Sequence, residues 1–478
     1  MLWKGKFVKH AITYKDYMNI KDQKRTEDLR DKLNVFWELS GQKILAIDKN
    51  YDTSKGSPVF TINGKYTTRG WTEWTQGFQY GCAALQFDVT GREEFLTMAR
   101  RHTVDKMASH VSHFGVHDHG FNNVSTYGNL LRLMNEGRIP EREWERNFYE
   151  LALKVSGAVQ AKRWTPIKDG GFMYSFNGPH SLFVDTIRTV RVLMVAHKLG
   201  HGLMGENDER SSLLHRGLVH ALATAKYSVY YGEGRDSYDT ESRTVHECVF
   251  NTNDGNFRCP NSQQGYTGYS TWTRGLSWAM LGFAEELEFL ETVGDDELEG
   301  LGSRKEIEAI FLKAAKATCD CFIAKTASDG IPYWDTGAPL LYKLGDDYLE
   351  RRSDPYNTFE PVDSSAAVIG AQGLLRLGKY LLDKGDKEGE KYIQAGLLSS
   401  ESVFSEPYLS TDLNHQGLIL HSIYHRPNGW DHVPAGSTIP NGESSMWGDY
   451  HAMELGLYLQ RLMDDQKYYT FFGSTERA

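Results

Sequence analysis

The chain has 478 residues and a formal net charge of −10, with 40% hydrophobic and 24% charged residues, an ordinary balance for a soluble globular protein. The acidic surplus argues against nucleic acid or an anionic membrane surface as partner; no apolar run of about 18 residues offers a membrane span, and the opening Met1-Leu2-Trp3-Lys4-Gly5-Lys6 lacks the stretch of a signal peptide. Five cysteines, odd in number and without a C-x-x-C, fit a reducing, cytoplasmic setting better than a disulfide framework or a Cys-rich zinc site.

Periodicity predicts twelve helices, at about 22–45, 72–90, 92–111, 122–136, 141–161, 181–199, 207–228, 272–292, 303–326, 363–384, 386–404 and 448–463. No Pro/Gly/Ser-rich linker divides them, so one domain is expected over 1–478, with 1–20 as an N-terminal extension. The odd helices are amphipathic. The ninth repeats Ile307, Ile310, Phe311, Ala314 and Cys321 at helical spacing, with Glu306, Lys313 and Lys316 between. The even helices are apolar or small on most faces, as in Leu182, Phe183, Val184, Ile187, Val190 and Val192 of the sixth, or Ala366 through Leu375 of the tenth. A helix that is apolar all round is enclosed by others. Alternating enclosed and half-exposed helices make an all-α, (α/α)6 toroid.

Three long connections, near 229–271, 327–362 and 405–447, each lead from an odd helix into an even one, and loops of that length in a compact domain are usually functional. They gather at the end where the inner helices begin. Asp118 precedes the fourth helix there, Asp185 sits in the first turn of the sixth and Trp74 in the first turn of the second. Helix N-termini carry positive potential, so this mouth favours an anionic ligand. Two acids converging on it suit acid/base chemistry on a sugar. The high aromatic content, 12% with 11 Trp and 26 Tyr, fits either a ring-rich core or a site that lays ring faces on sugars.

Each candidate has a plainer reading beside it. Asp185 is either a first-turn carboxylate stabilised by the helix dipole or a general acid whose pKa burial raises and the helix terminus lowers. His113, His117 and His119 with Asp118 contain metal-ligand chemistry, but their spacing matches no common zinc pattern, and a hydrogen-bonded catalytic loop is preferred. Arg274 and Trp278 share a helical face at i,i+4. The pair suits a planar carboxylate on a sugar ring, or a cation–π contact in the core.

These pieces, taken in order, resemble the unsaturated glucuronyl hydrolases, glycoside hydrolase family 88, over most of the chain. They are Trp74-Thr75-Gln76-Gly77-Phe78, His117-Asp118-x-Gly120-Phe121, Asp185 on its apolar helix, His246 and Gln264-Gly265-Tyr266. Trp272-x-Arg274-Gly275-x-x-Trp278, Gly330-Ile331-Pro332-Tyr333-Trp334-Asp335, Asp363-Ser364-Ser365-Ala366-Ala367 and Trp447-Gly448-Asp449-Tyr450 follow. The resemblance implies a toroid of the six-hairpin glycosidase type, no metal and no cofactor. Asp185 would be general acid/base, and Asp118 would position the substrate or tune Asp185. Trp74, His117, Phe176, His246, Gln264, Arg274 and Trp278 would line the subsite for a 4-deoxy-4,5-unsaturated uronate. The implied substrate is an oligosaccharide from a polysaccharide lyase, a disaccharide first of all, and the implied assembly a monomer or homodimer. The chemistry implied is hydration of the C4=C5 vinyl ether.

The chain departs from the family pattern in places. It has Tyr174-Ser175-Phe176 where the family commonly has Trp, and its 229–245 segment is long. It carries Arg188 one turn after Asp185; pointed inward, Arg188 would lower the acid's pKa and contact a second anion. The absence of Lys and Arg from Pro427 to Gln460 disfavours a sulfate pocket in that loop. Alternatives on the same toroid are an unsaturated rhamnogalacturonyl hydrolase, a saturated glucuronidase, or an epimerase using His246 with His421 or His425.

Overall fold

Twelve principal helices alternate between two concentric rings in a computed structural model that describes residues 18–20, 23–70 and 73–476. The outer ring is α1 (Arg30–Asn50), α3 (Glu93–Lys106), α5 (Glu143–Lys162), α7 (Leu213–Tyr227), α9 (Arg304–Lys325) and α11 (Gly389–Val403). The inner ring is α2 (Gln76–Thr90), α4 (Gly120–Gly128 continuing as Asn129–Asn135), α6 (Thr186–Thr189 and Arg191–Lys198), α8 (Thr273–Leu290), α10 (Ser364–Asp383) and α12 (Met446–Met463). Each inner helix packs on the next, and α12 closes on α2. The expected (α/α)6 toroid is therefore present. Most of the predicted N-terminal extension, and the predicted start of the first helix at 22, lie outside the described residues.

Sequence patterning explains the two rings. Every residue of α8 is buried, as an apolar helix among helices must be. On α9 a stripe of Ile307, Phe311, Ala314, Ala315, Thr318, Cys319 and Phe322 is buried at helical spacing, and Cys321, Ile323 and Ala324 widen it near the C-terminal end. Ile310, expected on that stripe, is 43% exposed, because the stripe turns past it. One continuous apolar core runs around the ring, with a small satellite of Leu182, Tyr230, Cys248 and Phe250 beneath the mouth.

The predicted start of the sixth helix, at 181, needs correction at the mouth. Residues 181–183 form a strand, not the first turn of a helix; Ser181–Phe183, Glu247–Phe250 and Phe257–Asn261 make a three-stranded antiparallel sheet. Leu182, Phe183 and Val184 read equally well as a buried strand, and pairing with Cys248 and Glu247 decided the matter. Asp185 consequently stands at the N-cap of α6. The second helix also starts later than predicted, so Trp74 lies in a 3-10 turn, Glu73–Thr75, just ahead of it.

Two glycines let neighbouring inner helices approach closely. A Cβ on Gly120 would lie 2.1 Å from Thr189 O, and one on Gly77 2.3 Å from Asn122 O. Backbone therefore meets backbone between α4 and α6, two residues after Asp118 and four after Asp185. Among the described residues, no helix is long and apolar enough to cross a membrane.

Candidate active site

Asp118 ends the loop that runs into α4, and its carbonyl starts the helix by accepting from Phe121 and Asn122 N–H. The first nine residues of α4 are π-helical and entirely buried, a wide winding found at functional sites more often than elsewhere. The loop is pinned from both sides. His119 bonds Ser156 Oγ at 2.8 Å and the His113 carbonyl at 2.8 Å, which commits both ring nitrogens. Thr189 Oγ1 donates to the His117 carbonyl at 2.7 Å, tying the loop to α6.

The two acids meet across His117. Its Nε2 lies 3.3 Å from Asp185 Oδ2 and 3.8 Å from Asp118 Oδ1. On the other side, His246 Nε2 stands 4.0 Å from Asp185 Oδ1. His246 Nδ1 accepts from the backbone N–H of Gln263 at 3.0 Å and Gln264 at 3.3 Å. That leaves the proton on Nε2, facing Asp185. The sheet puts His246 there, since Val184 N donates to the His246 carbonyl at 2.9 Å.

Burial and charge divide the proton affinities. Burial lifts the Asp118 carboxyl, and the nearby Asp185 adds to the lift against the opposing charge of His117, so Asp118 ends above the ordinary carboxyl range. Burial lifts Asp185 too, but the hydrogen bond and charge of His117 outweigh it and leave Asp185 below its usual value. Burial alone would depress His117; the two carboxylates raise it instead. Burial drives His246 down to about 4, so it is neutral at physiological pH. The shifts thus favour a proton on His117 over one on Asp185, and make Asp118 the less acidic of the two carboxyls.

A cavity of about 530 Å³ opens on this group, a size suited to a small ligand. It brings together Trp74, His117, Asp118, Phe176, Asp185, Gln264, Arg274 and Trp278, residues up to 204 positions apart in the chain that sequence reading had singled out. His246 stands immediately behind Asp185. Trp74, Phe121 and Trp278 form an aromatic group, with Phe121 5.9 Å from Trp74 and 4.9 Å from Trp278.

Arg274 behaves differently from its sequence reading. Its guanidinium lies over Trp272 and Trp447, at 4.6 and 4.9 Å, and not over Trp278. Nη1 pairs with Asp363 at 3.1 Å and meets the Ile423 carbonyl. Nη2 donates to Gln264 Oε1 at 3.0 Å and the Tyr424 carbonyl at 2.7 Å. Asp363 caps α10 and so anchors Arg274, which in turn orients the Gln264 amide.

Arg188 is corrected outright. It does not line the cavity. Its guanidinium is fully buried on Glu285 (3.0 Å to each oxygen), Glu454 (2.6 Å) and His451 Nε2 (2.6 Å). His451 Nδ1 meets the Trp447 carbonyl at 2.6 Å, so Nε2 is the acceptor. Position 188 points into the centre of the ring, where an arginine pairs with carboxylates of α8 and α12.

Sequence reasoning passed over Asn177, Gln263, Tyr424, Asn428 and Trp430, all of which line the cavity. The third rim loop had been marked as functional, and Tyr424 and Trp430 were the aromatic signals within it. Of the two histidines weighed as epimerase partners, His425 reaches the cavity, whereas buried His421 accepts from Gly442 N–H outside it. The grouping of three metal-ligand side chains among the described residues is His117, Asp118 and Asp185, whose ligand atoms fall within 4.8 Å; His119 is not part of it.

No family model matches the chain. The unsaturated glucuronyl hydrolase of Bacillus sp. (strain GL1) is 26% identical over 407 residues, 84% of this chain and 89% of that protein. The crystal structure of unsaturated glucuronyl hydrolase from Bacillus sp. GL1 superposes with a TM-score of 0.67 at 22% identity, covering 91% of this chain and 98% of that one. A variant of the unsaturated glucuronyl hydrolase of Streptococcus agalactiae, complexed with dGlcA-GalNAc6S, superposes at 0.64 with 20% identity, covering 95% and 98%.

Proposed function

We propose that the chain, similar over most of its length to the unsaturated glucuronyl hydrolases of glycoside hydrolase family 88, acts as one of them and removes a 4-deoxy-4,5-unsaturated uronic acid from the non-reducing end of lyase-derived oligosaccharides, with Asp185 as general acid/base. The observation that carries the reading is the arrangement around Asp185: a buried carboxyl at the cavity wall, with His117 on one oxygen and the Nε2 face of His246 toward the other.

The chemistry follows from that placement. The C4=C5 bond of the substrate is an electron-rich vinyl ether, and protonation at C4 places positive charge on C5 and the ring oxygen. Asp185 delivers the proton after receiving one across the hydrogen bond from His117, whose raised proton affinity makes it the reservoir. The Asp185 carboxylate then takes a proton from water as the water oxygen bonds to C5. The resulting hemiketal opens and releases the aglycone. One acid therefore serves twice, and the separation rule for paired glycosidase carboxylates does not govern this site. Asp118, the less acidic carboxyl, holds His117 charged and positions the sugar.

The test is the ultraviolet absorbance of the unsaturated uronide, followed on lyase-made disaccharides. Absorbance is expected to fall with native protein, and at least about a hundredfold more slowly with Asp185→Asn. Undiminished turnover in that variant would remove Asp185 from the role. Product analysis by NMR separates hydration from epimerisation.

A further inference from the structure

Outward from the two acids, the chemistry of the cavity wall changes. Phe176, 37% exposed, and the half-buried Trp430 present rings. Asn177, Gln263 and Asn428 present amides. Gln263 Oε1 is buried with no partner within the protein. Asn177 spends its Nδ2 on Glu247 Oε1 at 3.0 Å, which leaves its carbonyl oxygen as the open end. The wall thus offers neutral amides, with the carbonyl oxygens of Gln263 and Asn177 open, and ring faces.

The charges behind the wall reinforce this. Glu247 is buried and held by three neutral donors: Asn177, Ser181 Oγ at 2.5 Å and Asn261 Nδ2 at 2.6 Å. No lysine or arginine among the described residues pairs with it. Asp431, half-buried, accepts from the backbone N–H of Tyr424 and His425, and its charge is already faced by Arg274 and Arg426. Arg274 is the arginine among the lining residues, and both its Nη atoms are engaged by protein acceptors. Burial pulls His425 down to about 4, so it brings no charge.

From this wall we infer that the aglycone is a neutral, unsulfated sugar, recognised by ring stacking on Phe176 and Trp430 and by hydroxyls donated to Asn177 and Gln263, and that a sulfate ester next to the scissile bond is rejected. A sulfate there would face acceptor oxygens and the field of Glu247, while Arg274, the arginine of the lining, has both Nη atoms already engaged. The inference rests on the reaction proposed above. A solved relative holds a sulfated disaccharide, so the toroid itself does not forbid one; the side chains of this wall do.

The full chain is assayed with two unsaturated disaccharides that differ only by a sulfate ester on the reducing-end sugar. The expected kcat/KM is at least about tenfold higher for the unsulfated one, expressed mostly in KM. Asn428→Lys, at an exposed position, and Glu247→Gln are each expected to narrow the ratio by improving the sulfated substrate. Equal or faster turnover of the sulfated substrate by the native chain overturns the inference and leaves the proposed reaction standing. If neither substrate is consumed, it is the reaction that is overturned. If the ratio is unmoved in both variants, the wall is not its source.

Discussion

Arg188→Met distinguishes a substrate ligand from a structural cation. In the native chain Arg188 and Arg191 face Glu285 and Glu454, two charges against two. Methionine removes every Arg188 hydrogen bond and leaves Arg191, at 3.9 and 3.7 Å, as the arginine facing the two carboxylates, beside the neutral donors Tyr450 and Tyr469 on Glu454. Removing one partner of a buried pair costs about 3–5 kcal/mol. With an unfolding entropy of about 2.1 cal/mol/K per residue, 478 residues give about 1 kcal/mol/K, so Tm should fall by about 3–5 °C.

The loss should also depend on pH. Burial raises the Glu454 carboxyl, but Arg188 and Arg191 hold it well below the ordinary range. A carboxyl depressed in the folded state adds stability above its unfolded pKa, about 4.3, and loses it as pH falls toward the folded value. Without Arg188, burial prevails and the folded carboxyl binds its proton more tightly than the unfolded one. The deficit of the variant is therefore larger at pH 8 than at pH 5. Calorimetric melts at both values, beside KM for an unsaturated disaccharide, make the measurement. An unchanged Tm with KM raised about tenfold or more would refute this reasoning and return Arg188 to the substrate.

Three further outcomes are expected. His117→Gln removes the group that lowers Asp185 and the imidazolium that supplies its proton, so the alkaline limb of kcat/KM moves to lower pH and the rate at pH 7 falls at least about tenfold; a limb that stays in place shows the proton is held elsewhere. Arg163→Met frees the carbonyls of Phe114, Tyr174 and Ser175, which Arg163 clasps together, and removes a charge that lowers both Asp118 and His117. Its alkaline limb should move upward while KM rises several-fold as the Phe176 wall loosens, and a profile that superposes on the native one would deny the electrostatic link. Lys43→Met strips the buried donor that holds Ser410 Oγ and the carbonyls of Asp412, His415 and Gly417. Unsatisfied carbonyls should cost about 2–4 kcal/mol, read as a lower Tm with little change in kcat.

The residues themselves determined the two rings. A fully apolar stretch such as 273–290 has nowhere to go but inside, and a striped one such as 304–325 must keep one face wet. They also marked the mouth, because a long loop leading into an apolar helix leaves the helix start, and any acid on it, at one end. Asp118, Asp185, Trp74 and Trp278 were legible for that reason. What the chain order could not express was which atoms share space. Residues 181–183 carry a pattern common to buried helix and buried strand, and only the partner strand at 247–250 chose between them. Whether Arg188 faced substrate or core depended on Glu285 and Glu454, nearly 100 and more than 260 residues away. The division of protons among Asp118, His117 and Asp185 likewise rests on separations of 3.3 and 3.8 Å that backbone packing at Gly120 enforces. Local pattern sets which side of an element is buried; electrostatics depends on distance, and the distances exist only once the ring has closed.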